Sequence, residues 1–196
     1  MPNPRLTGFA GSWSQPSKTR ALVTHATEAA VDRFGAVTHV FDLSDLGDGF
    51  GTARRLEDLP PGARRHVDAL LTADALIVAS PIYKGSYTGL FKHLFDLLDP
   101  TALRNKPVLL AATGGGEKHA LVIEHQLRPL FGFFETATLP TGVYASDRDF
   151  QDGRPYSAAL SQRLDSAIGQ FAPFLTTAPR SPRGASDHRQ IGRAHV

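Results

Sequence analysis

The stretch DALIVASPIYKGSYTGLFKHLFDLLD, residues 74–99, changes pattern twice and determines the fold class. Its first part, DALIVAS (74–80), is almost continuously apolar, which is typical of a parallel strand covered on both faces. A loop follows, because Pro81 has no N–H for a sheet ladder and Gly85 allows a backbone path that other residues avoid. From Thr88 to Leu98, leucine and phenylalanine recur at helical spacing. A strand, a loop and a helix in this order predict one unit of an α/β protein.

The same alternation runs along the rest of the chain. Strands are predicted over 5–11, 37–43, 74–80, 106–113 and 136–145, and helices over 17–34, 62–72, 88–98, 119–134 and 156–175. Five strands alternating with five helices predict a single α/β domain over residues 1–176, with a parallel sheet between two layers of helices.

Residues 177–196 differ from this domain in composition and charge. Four arginines against Asp187 give them a net charge of +3, so the formal net charge of +2 leaves −1 for the rest of the chain. The segment lacks apolar periodicity, which predicts a disordered basic tail. Its last six letters, IGRAHV, match the translation of a common sequencing adapter, and we interpret the end of the tail as an assembly artefact. The nearly neutral domain predicts no nucleic-acid binding.

Composition excludes several function classes. The chain has no cysteine, which excludes disulfides, thiol nucleophiles and thiolate metal sites. The start MPNPRLTGFAGS does not resemble a secretory signal, and no apolar run approaches the roughly 18 residues of a membrane span. The expectation is a cytoplasmic protein without membrane contact.

Ligands of open α/β sheets bind at the carboxyl ends of the strands, which directs attention to the loops after strands one, three and four. The first loop, GSWSQPSKTRAL (11–22), carries neither the dinucleotide fingerprint GxGxxG nor the P-loop. Hydroxyls and one ammonium surround the start of a helix there and suit a terminal phosphate: Ser12, Ser14, Ser17, Lys18 and Thr19. The alternative is that Ser17 only caps the helix, beside Pro16.

The other two loops favour close backbone contact with a ligand. PIYKGSYTG (81–89) can present main-chain groups to a flat heterocycle; the alternative is an ordinary turn in which Tyr83 and Tyr87 are half-buried packing residues. ATGGGEKH (112–119) places three glycines directly after a strand, where the backbone can approach a ligand; the alternative is a flexible connection.

Three segments carry a family resemblance: the pattern GSxxxPSKT (11–19), SPIYKGSYTGLFKHLFDLL (80–98) and LLAATGGGEKHALVIEHQLRPLFGFF (109–134). Together they resemble the NAD(P)H-dependent FMN reductases of flavodoxin-like fold, above all the reductase components of two-component alkanesulfonate and methanesulfonate monooxygenases. The similarity covers about residues 5–175, in order and with matching spacing.

The resemblance implies a flavodoxin-like three-layer sandwich with a five-stranded parallel sheet of order 2-1-3-4-5. It implies FMN as cofactor, with its phosphate at the first loop. The flavin ring would lie against two further sets of residues: Pro81, Ile82, Tyr83, Lys84, Gly85 and Ser86, and Thr113, Gly114, Gly115 and Gly116, with His119 closing the second set. NADH or NADPH would deliver hydride to the flavin, so no catalytic side chain and no metal are expected.

The resemblance also implies partners: a homo-oligomer, dimeric or tetrameric, and a flavin-dependent monooxygenase that receives reduced FMN. Two alternatives stay open. One is a quinone, azo-dye or chromate reductase that retains its flavin; the other is a flavodoxin-like electron carrier. Fold alone does not separate them.

The helix predicted after the triple glycine holds one irregular feature. His119 and His125 lie about 240° apart around a helix, so they do not form a metal-binding pair. Pro129 lacks the N–H that would bond the carbonyl of His125, which predicts a local widening or kink near His125. The alternative role for His125 is simple packing.

Overall fold

The computed structural model describes residues 3–176 and contains a mainly parallel central sheet. Its strands are β1 (Arg5–Ala10), β2 (Val37–Asp42), β3 (Ala75–Pro81), β4 (Pro107–Gly114), β5 (Ala137–Thr138) and β6 (Val143–Ser146). They pair in parallel in the order β2-β1-β3-β4, and both β5 and β6 pair with the far side of β4. The predicted order 2-1-3-4-5 is confirmed, with two short strands sharing the fifth position.

The helices are α1 (Lys18–Phe34), α2 (Pro61–Thr72), α3 (Gly89–Asp96), α4 (Arg128–Phe133), α5 (Ala158–Gly169) and α6 (Ala172–Leu175). A small antiparallel hairpin, β7 (Phe150–Gln151) and β8 (Arg154–Pro155), precedes α5. Short 3₁₀ turns lie at Ser44–Leu46, Asp48–Thr52, Leu56–Asp58, Glu117–His119 and Asp147–Asp149.

The sheet separates two apolar clusters, which confirms the three-layer arrangement. Every residue of β3 is buried, and its side chains alternate between the clusters, with Leu76 and Val78 on one side and Ile77 and Ala79 on the other. Helices α2, α3 and α4 cover the first side and α1 and α5 the second. Burial on both faces explains why this strand has no polar alternation.

The predicted fifth strand, 136–145, is wrong as a continuous element. It divides into β5 and β6 because Pro140 has no N–H for the ladder, and the N–H of Thr141 instead donates to the side chain of Gln170 at 3.0 Å.

The two last predicted helices are also divided. The segment 119–134 contains the end of a 3₁₀ turn, a π-helical turn at Ile123–Leu127 and α4. The N–H of Arg128 bonds the carbonyl of Ile123, five residues back, which confirms the widening predicted near His125. The segment 156–175 breaks between α5 and α6, since Pro173 cannot donate to the carbonyl of Gly169.

The predicted tail, 177–196, lies outside the described residues, so its disorder and the artefact at its end stay predictions. Within residues 3–176, no helix has both the length and the apolar character needed to cross a bilayer.

Candidate functional site

A cleft of about 300 Å³ lies at the carboxyl edge of the sheet, where four loops meet. It is lined by the following residues: Ser12, Ser14, Pro16, Ser17, Lys18, Thr19, Pro81, Ile82, Tyr83, Thr113, Gly114, Gly115 and Asp147. The structure thus brings the loops after strands one, three and four around one space, as the sequence predicted, and adds a residue that follows β6.

The first loop ends at a helix N-terminus with spare donors. Ser17 caps α1, and its Oγ accepts from the N–H of Arg20 at 3.1 Å. Ala21 is the first residue of the helix whose N–H has a backbone acceptor, the carbonyl of Ser17 at 3.0 Å. The N–H groups of Lys18 and Thr19, in the first turn, have no acceptor within the helix. The capping alternative is therefore correct in fact, yet a hydroxyl that accepts one bond still has its own proton to donate. Capping by Ser17 therefore leaves hydrogen-bond donors available at this helix N-terminus.

The same loop is tied to its neighbours at depth. Ser12 is buried, and its Oγ accepts from the N–H of Ser14 at 3.3 Å. Thr88, the N-cap of α3, donates its hydroxyl to the carbonyl of Gly11 at 3.1 Å. These bonds hold the loop after β1 against the loop after β3.

The loop after β3 forms a tight hairpin rather than an open ledge. The N–H groups and carbonyls of Tyr83 and Ser86 bond each other at 2.9 and 3.2 Å. Lys84 and Gly85 between them have φ values of 53° and 82°, the positive pair that defines a type I′ turn. Tyr83 is 56% exposed, whereas Tyr87 is half-buried and its ring centroid lies 5.5 Å from that of Phe91. The packing alternative is right for Tyr87 and wrong for Tyr83.

The hairpin also contacts the π-helical turn. The hydroxyl of Ser86 donates to Oε1 of Gln126 at 3.2 Å. The irregular helix that follows the triple glycine thus touches the rim of the cleft through Gln126, one residue from the predicted position His125.

Tyr144 of β6 supports the triple-glycine loop from below. Its hydroxyl donates to the carbonyl of Gly116 at 2.5 Å, and a Cβ at Gly114 would lie only 2.4 Å from the same oxygen. Burial of the Tyr144 hydroxyl raises its pKa, and the negative charges of Asp147 and Asp149 raise it further. The hydroxyl therefore keeps the proton that it donates. Gly114 ends β4 beside Tyr144 and Gly116 accepts from it, so the alternative of a merely flexible connection does not describe these two glycines.

Several predicted residues do not line the cleft. Lys84, Gly85 and Ser86 lie in the exposed or half-buried hairpin, Gly116 and His119 lie further along the loop after β4, and His119 ends a 3₁₀ turn. Within residues 3–176, no three acidic or histidine side chains cluster as a metal site would require.

Asp147 and Pro16 line the cleft but were not among the predicted site residues. Asp147 Oδ1 lies 2.8 Å from Lys18 Nζ, across 129 residues of sequence. Its neighbour Arg148 forms an ion pair with Glu117, in the loop after β4. The position of Asp147 could have indicated a site residue, because it directly follows β6 at the same carboxyl edge of the sheet as the other loops.

Comparisons with known proteins agree with this architecture. A family model described as NADPH-dependent FMN reductase matches residues 4–151. The NADH-dependent FMN reductase SfnF of Pseudomonas fluorescens is 46% identical over 167 residues, which cover 85% of this chain and 89% of the relative. An FMN reductase (NADPH) of Pseudomonas aeruginosa is 44% identical over 175 residues, covering 87% and 92%.

A solved structure gives the same picture in three dimensions. An oxidoreductase from Corynebacterium diphtheriae superposes with a TM-score of 0.76 at 32% identity, covering 89% of this chain and 97% of that one.

Proposed function

The chain belongs to the family of NADPH-dependent FMN reductases and is an NAD(P)H-dependent flavin reductase, and from this premise we propose that it supplies reduced FMN to a separate flavin-dependent monooxygenase of sulfonate sulfur assimilation. The pathway is supported by the sulfonate-type motifs of the sequence and by the SfnF name of a relative. The observation that carries the proposal is the meeting, in one cleft, of a hydroxyl-rich helix N-terminus and a glycine-rich strand end.

We propose that the FMN phosphate binds at the start of α1. The donor set fits a phosphate: N–H groups of the first helical turn, the ammonium of Lys18, and hydroxyls that can each donate one proton. The hydroxyl donors are Ser12, Ser14, Ser17 and Thr19. A phosphate is the part of FMN that riboflavin lacks, so this end of the cleft distinguishes the two flavins.

The flavin ring is assigned to the other end of the cleft. Pro81, Ile82 and Tyr83 face Thr113, Gly114 and Gly115 there. The N–H of Ile82 is already bonded to the carbonyl of Thr113 at 2.8 Å, which joins the two ring-side loops into one surface. Lys84, Gly85, Gly116 and His119 do not line the cleft, and we propose that they lie at the rim of this surface.

When bound, FMN would supply the hydride-accepting chemistry for oxidation of NADH or NADPH, and the reduced flavin would be the form that the partner takes up. The protein itself binds and orients: the helix N-terminus holds the charged end, and the backbone of the two strand ends positions the flat end. No side chain is assigned an acid–base role.

Self-association forms part of the proposal. Leu121 and Phe133 lie on either side of the π-helical turn, and each of these large apolar side chains is 65% exposed. We propose that this surface, called here the π-turn surface and defined by Leu121 and Phe133, joins subunits of a dimer or tetramer. The cytoplasmic location stays a prediction.

The test is turnover with free flavin. NADH and NADPH oxidation are measured with FMN, riboflavin, a quinone and an azo dye as acceptors, and the protein is passed through gel filtration to see whether flavin stays bound. The proposal expects rapid reduction of added FMN and loss of flavin on the column. Retained flavin with faster quinone or azo reduction would favour the alternative enzyme, and no nucleotide oxidation would favour the electron carrier.

A substitution of Lys18 tests the proposed binding position of the FMN phosphate. Lys18→Met should raise the KM for FMN by about tenfold, since a charge-assisted hydrogen bond at a half-exposed position is lost, and should leave the KM for riboflavin within about twofold. Lys118→Met, an exposed lysine outside the cleft lining, is the matched control. Equal effects on both flavins would contradict the placement.

A further inference from the structure

We infer that Asp147 sets how loosely the flavin is held, by competing with the FMN phosphate for Lys18. The inference rests on the proposed function, because it takes the phosphate to bind at the start of α1. It concerns a residue outside the predicted site, contributed by the segment that follows β6.

The position of Asp147 carries the inference. Its Oδ1 lies 2.8 Å from Lys18 Nζ, and its Oδ2 lies 3.8 Å from where a Cβ of Gly115 would stand. The carboxylate therefore lies between the phosphate end of the cleft and the glycine loop at its ring end. Lys18 is held from this segment a second time, because its ammonium lies 5.7 Å from the ring centroid of Phe150.

Lys18 and Asp147 pair with each other, and the neighbouring charged side chains have partners of their own. Among the described residues that line the cleft, Lys18 and Asp147 are the two with ionised side chains. The neighbouring carboxylate, Asp149, accepts from the N–H and the hydroxyl of Ser146, each at 2.8 Å, so its hydrogen bonds go to Ser146. Arg148 is paired with Glu117. Asp147 is thus the acidic group that an arriving phosphate meets.

Phosphate binding changes the partner of Lys18. In the described arrangement the carboxylate already neutralises the ammonium, so the cleft offers little net positive charge. When a phosphate takes the ammonium, the Asp147 carboxylate loses its ion pair and lies beside a second anion, which disfavours the bound state. The helix N-terminus and hydroxyls attract the phosphate, and Asp147 reduces the affinity that they would reach alone. A reductase that passes its flavin to a partner requires such release.

The ion pair between Lys18 and Asp147 contributes little to the stability of the fold. Side-chain exposures of 43% for Lys18 and 61% for Asp147 place both groups largely in solvent, where an ion pair contributes little to stability. Asp147→Asn should therefore fold as the wild type does, and its effect should appear in binding.

The experiment compares FMN with riboflavin. Dissociation constants for both flavins are measured by quenching of flavin fluorescence for the wild type, Asp147→Asn, Asp147→Glu and Asp152→Asn. Asp152 is an exposed carboxylate in the loop between β7 and β8 that does not line the cleft, so its variant carries the same charge change outside the site.

We expect Asp147→Asn to bind FMN roughly threefold to tenfold more tightly and riboflavin within about twofold of the wild type. Raising the salt concentration should reduce the difference in FMN affinity between Asp147→Asn and the wild type, because salt screens the repulsion between the carboxylate and the phosphate. Asp147→Glu, which keeps the charge, and Asp152→Asn should both stay near the wild type.

Two results would overturn the inference: FMN affinity unchanged in Asp147→Asn, or equal tightening for riboflavin. A failure of the proposed function is distinguishable from either. In that case the wild type itself would bind FMN no better than riboflavin, or Lys18→Met would leave FMN binding unaltered, and the inference would fall with the phosphate placement.

Discussion

The hydroxyl oxygens of Thr19 and Thr113 lie 2.7 Å apart in the buried floor of the cleft, although 94 residues separate them in the chain. Thr19 belongs to the first turn of α1 and Thr113 to the end of β4. The bond joins the proposed phosphate end of the cleft to the proposed ring end. It lies too deep for water to replace it easily, because both residues are almost fully buried.

Removing both hydroxyls should cost less than the sum of the costs of removing each one alone. Thr113→Val leaves the Thr19 hydroxyl buried without this partner, and we expect a loss of about 1–2 kcal/mol in the free energy of unfolding. The double variant with Thr19→Val should lose less than the sum of the single variants. Urea unfolding of the four proteins gives the coupling, and Thr38→Val, at an exposed position of β2, is the control. Additive losses would contradict the contact.

Gly114→Ala should be destabilising because of Tyr144. The new methyl group would lie 2.4 Å from the Tyr144 hydroxyl, so the ring must move and its bond to Gly116 must lengthen or break. We expect a loss of about 1–3 kcal/mol, typical of overpacking. Tyr144→Phe should relieve much of it, since the next atom is 3.4 Å away.

Gly116→Ala is the matched control for that experiment. A Cβ at Gly116 would meet no atom within 4 Å, and its φ of −161° suits any residue. Thermal unfolding should show it near the wild type. A Gly114→Ala variant as stable as Gly116→Ala would refute the role given to Tyr144.

Lys84→Asn should stabilise the hairpin after β3. Lys84 has a φ of 53°, a conformation that asparagine tolerates better and that type I′ turns favour. We expect a gain of about 0.5–1 kcal/mol, read as a rise in the unfolding midpoint. Lys118→Asn makes the same chemical change outside the left-handed region. A loss of stability in Lys84→Asn would show that the lysine side chain itself supports the turn.

Asp149 should contribute to acid sensitivity. Burial acts to raise the pKa of Asp149, but hydrogen bonds from the N–H and hydroxyl of Ser146 outweigh it, and the pKa lies below its ordinary value of 3.8. A depressed carboxyl pKa adds stability above pH 3.8, which is lost as the pH falls through the folded-state pKa. Asp149→Asn should therefore cost about 1–2 kcal/mol at neutral pH and progressively less in acid.

The measurement is the free energy of unfolding from pH 7 down to pH 2. Asp165→Asn, an exposed carboxylate on α5, is the control and should follow the wild type. A loss in Asp149→Asn that stays constant across this range would contradict the assignment.

The π-turn surface should mediate self-association. Leu121→Ser combined with Phe133→Ser removes two side chains that are each 65% exposed, so the fold should persist while the assembly weakens. Light scattering should show the molar mass falling from that of an oligomer to that of a monomer. Val37→Ser, also at an exposed apolar position but on the edge strand β2, should leave the mass unchanged. A monomeric wild type would refute the proposal directly.

Most of the fold was predictable from local patterns. β3 is buried on both faces, so its sequence is apolar throughout, and Pro81 marks its end in the sequence and in the structure. The π-helical turn was predictable in position from Pro129, since a missing N–H has a local consequence. The division of the fifth strand was missed, although Pro140 was visible, because apolar residues on both sides of it suggested one continuous run.

Local patterns were enough to predict the succession of strands and helices along the chain, the apolar layers and the three loops of the cleft, because periodicity, proline and glycine act within a few residues. Tertiary structure alone decided which charges meet in that cleft. The pairing of Lys18 with Asp147 joins residues 129 positions apart, and the contact of Thr19 with Thr113 joins residues 94 apart. Strand pairing across the sheet brings residues so far apart in sequence into contact, and no local sequence pattern records that pairing.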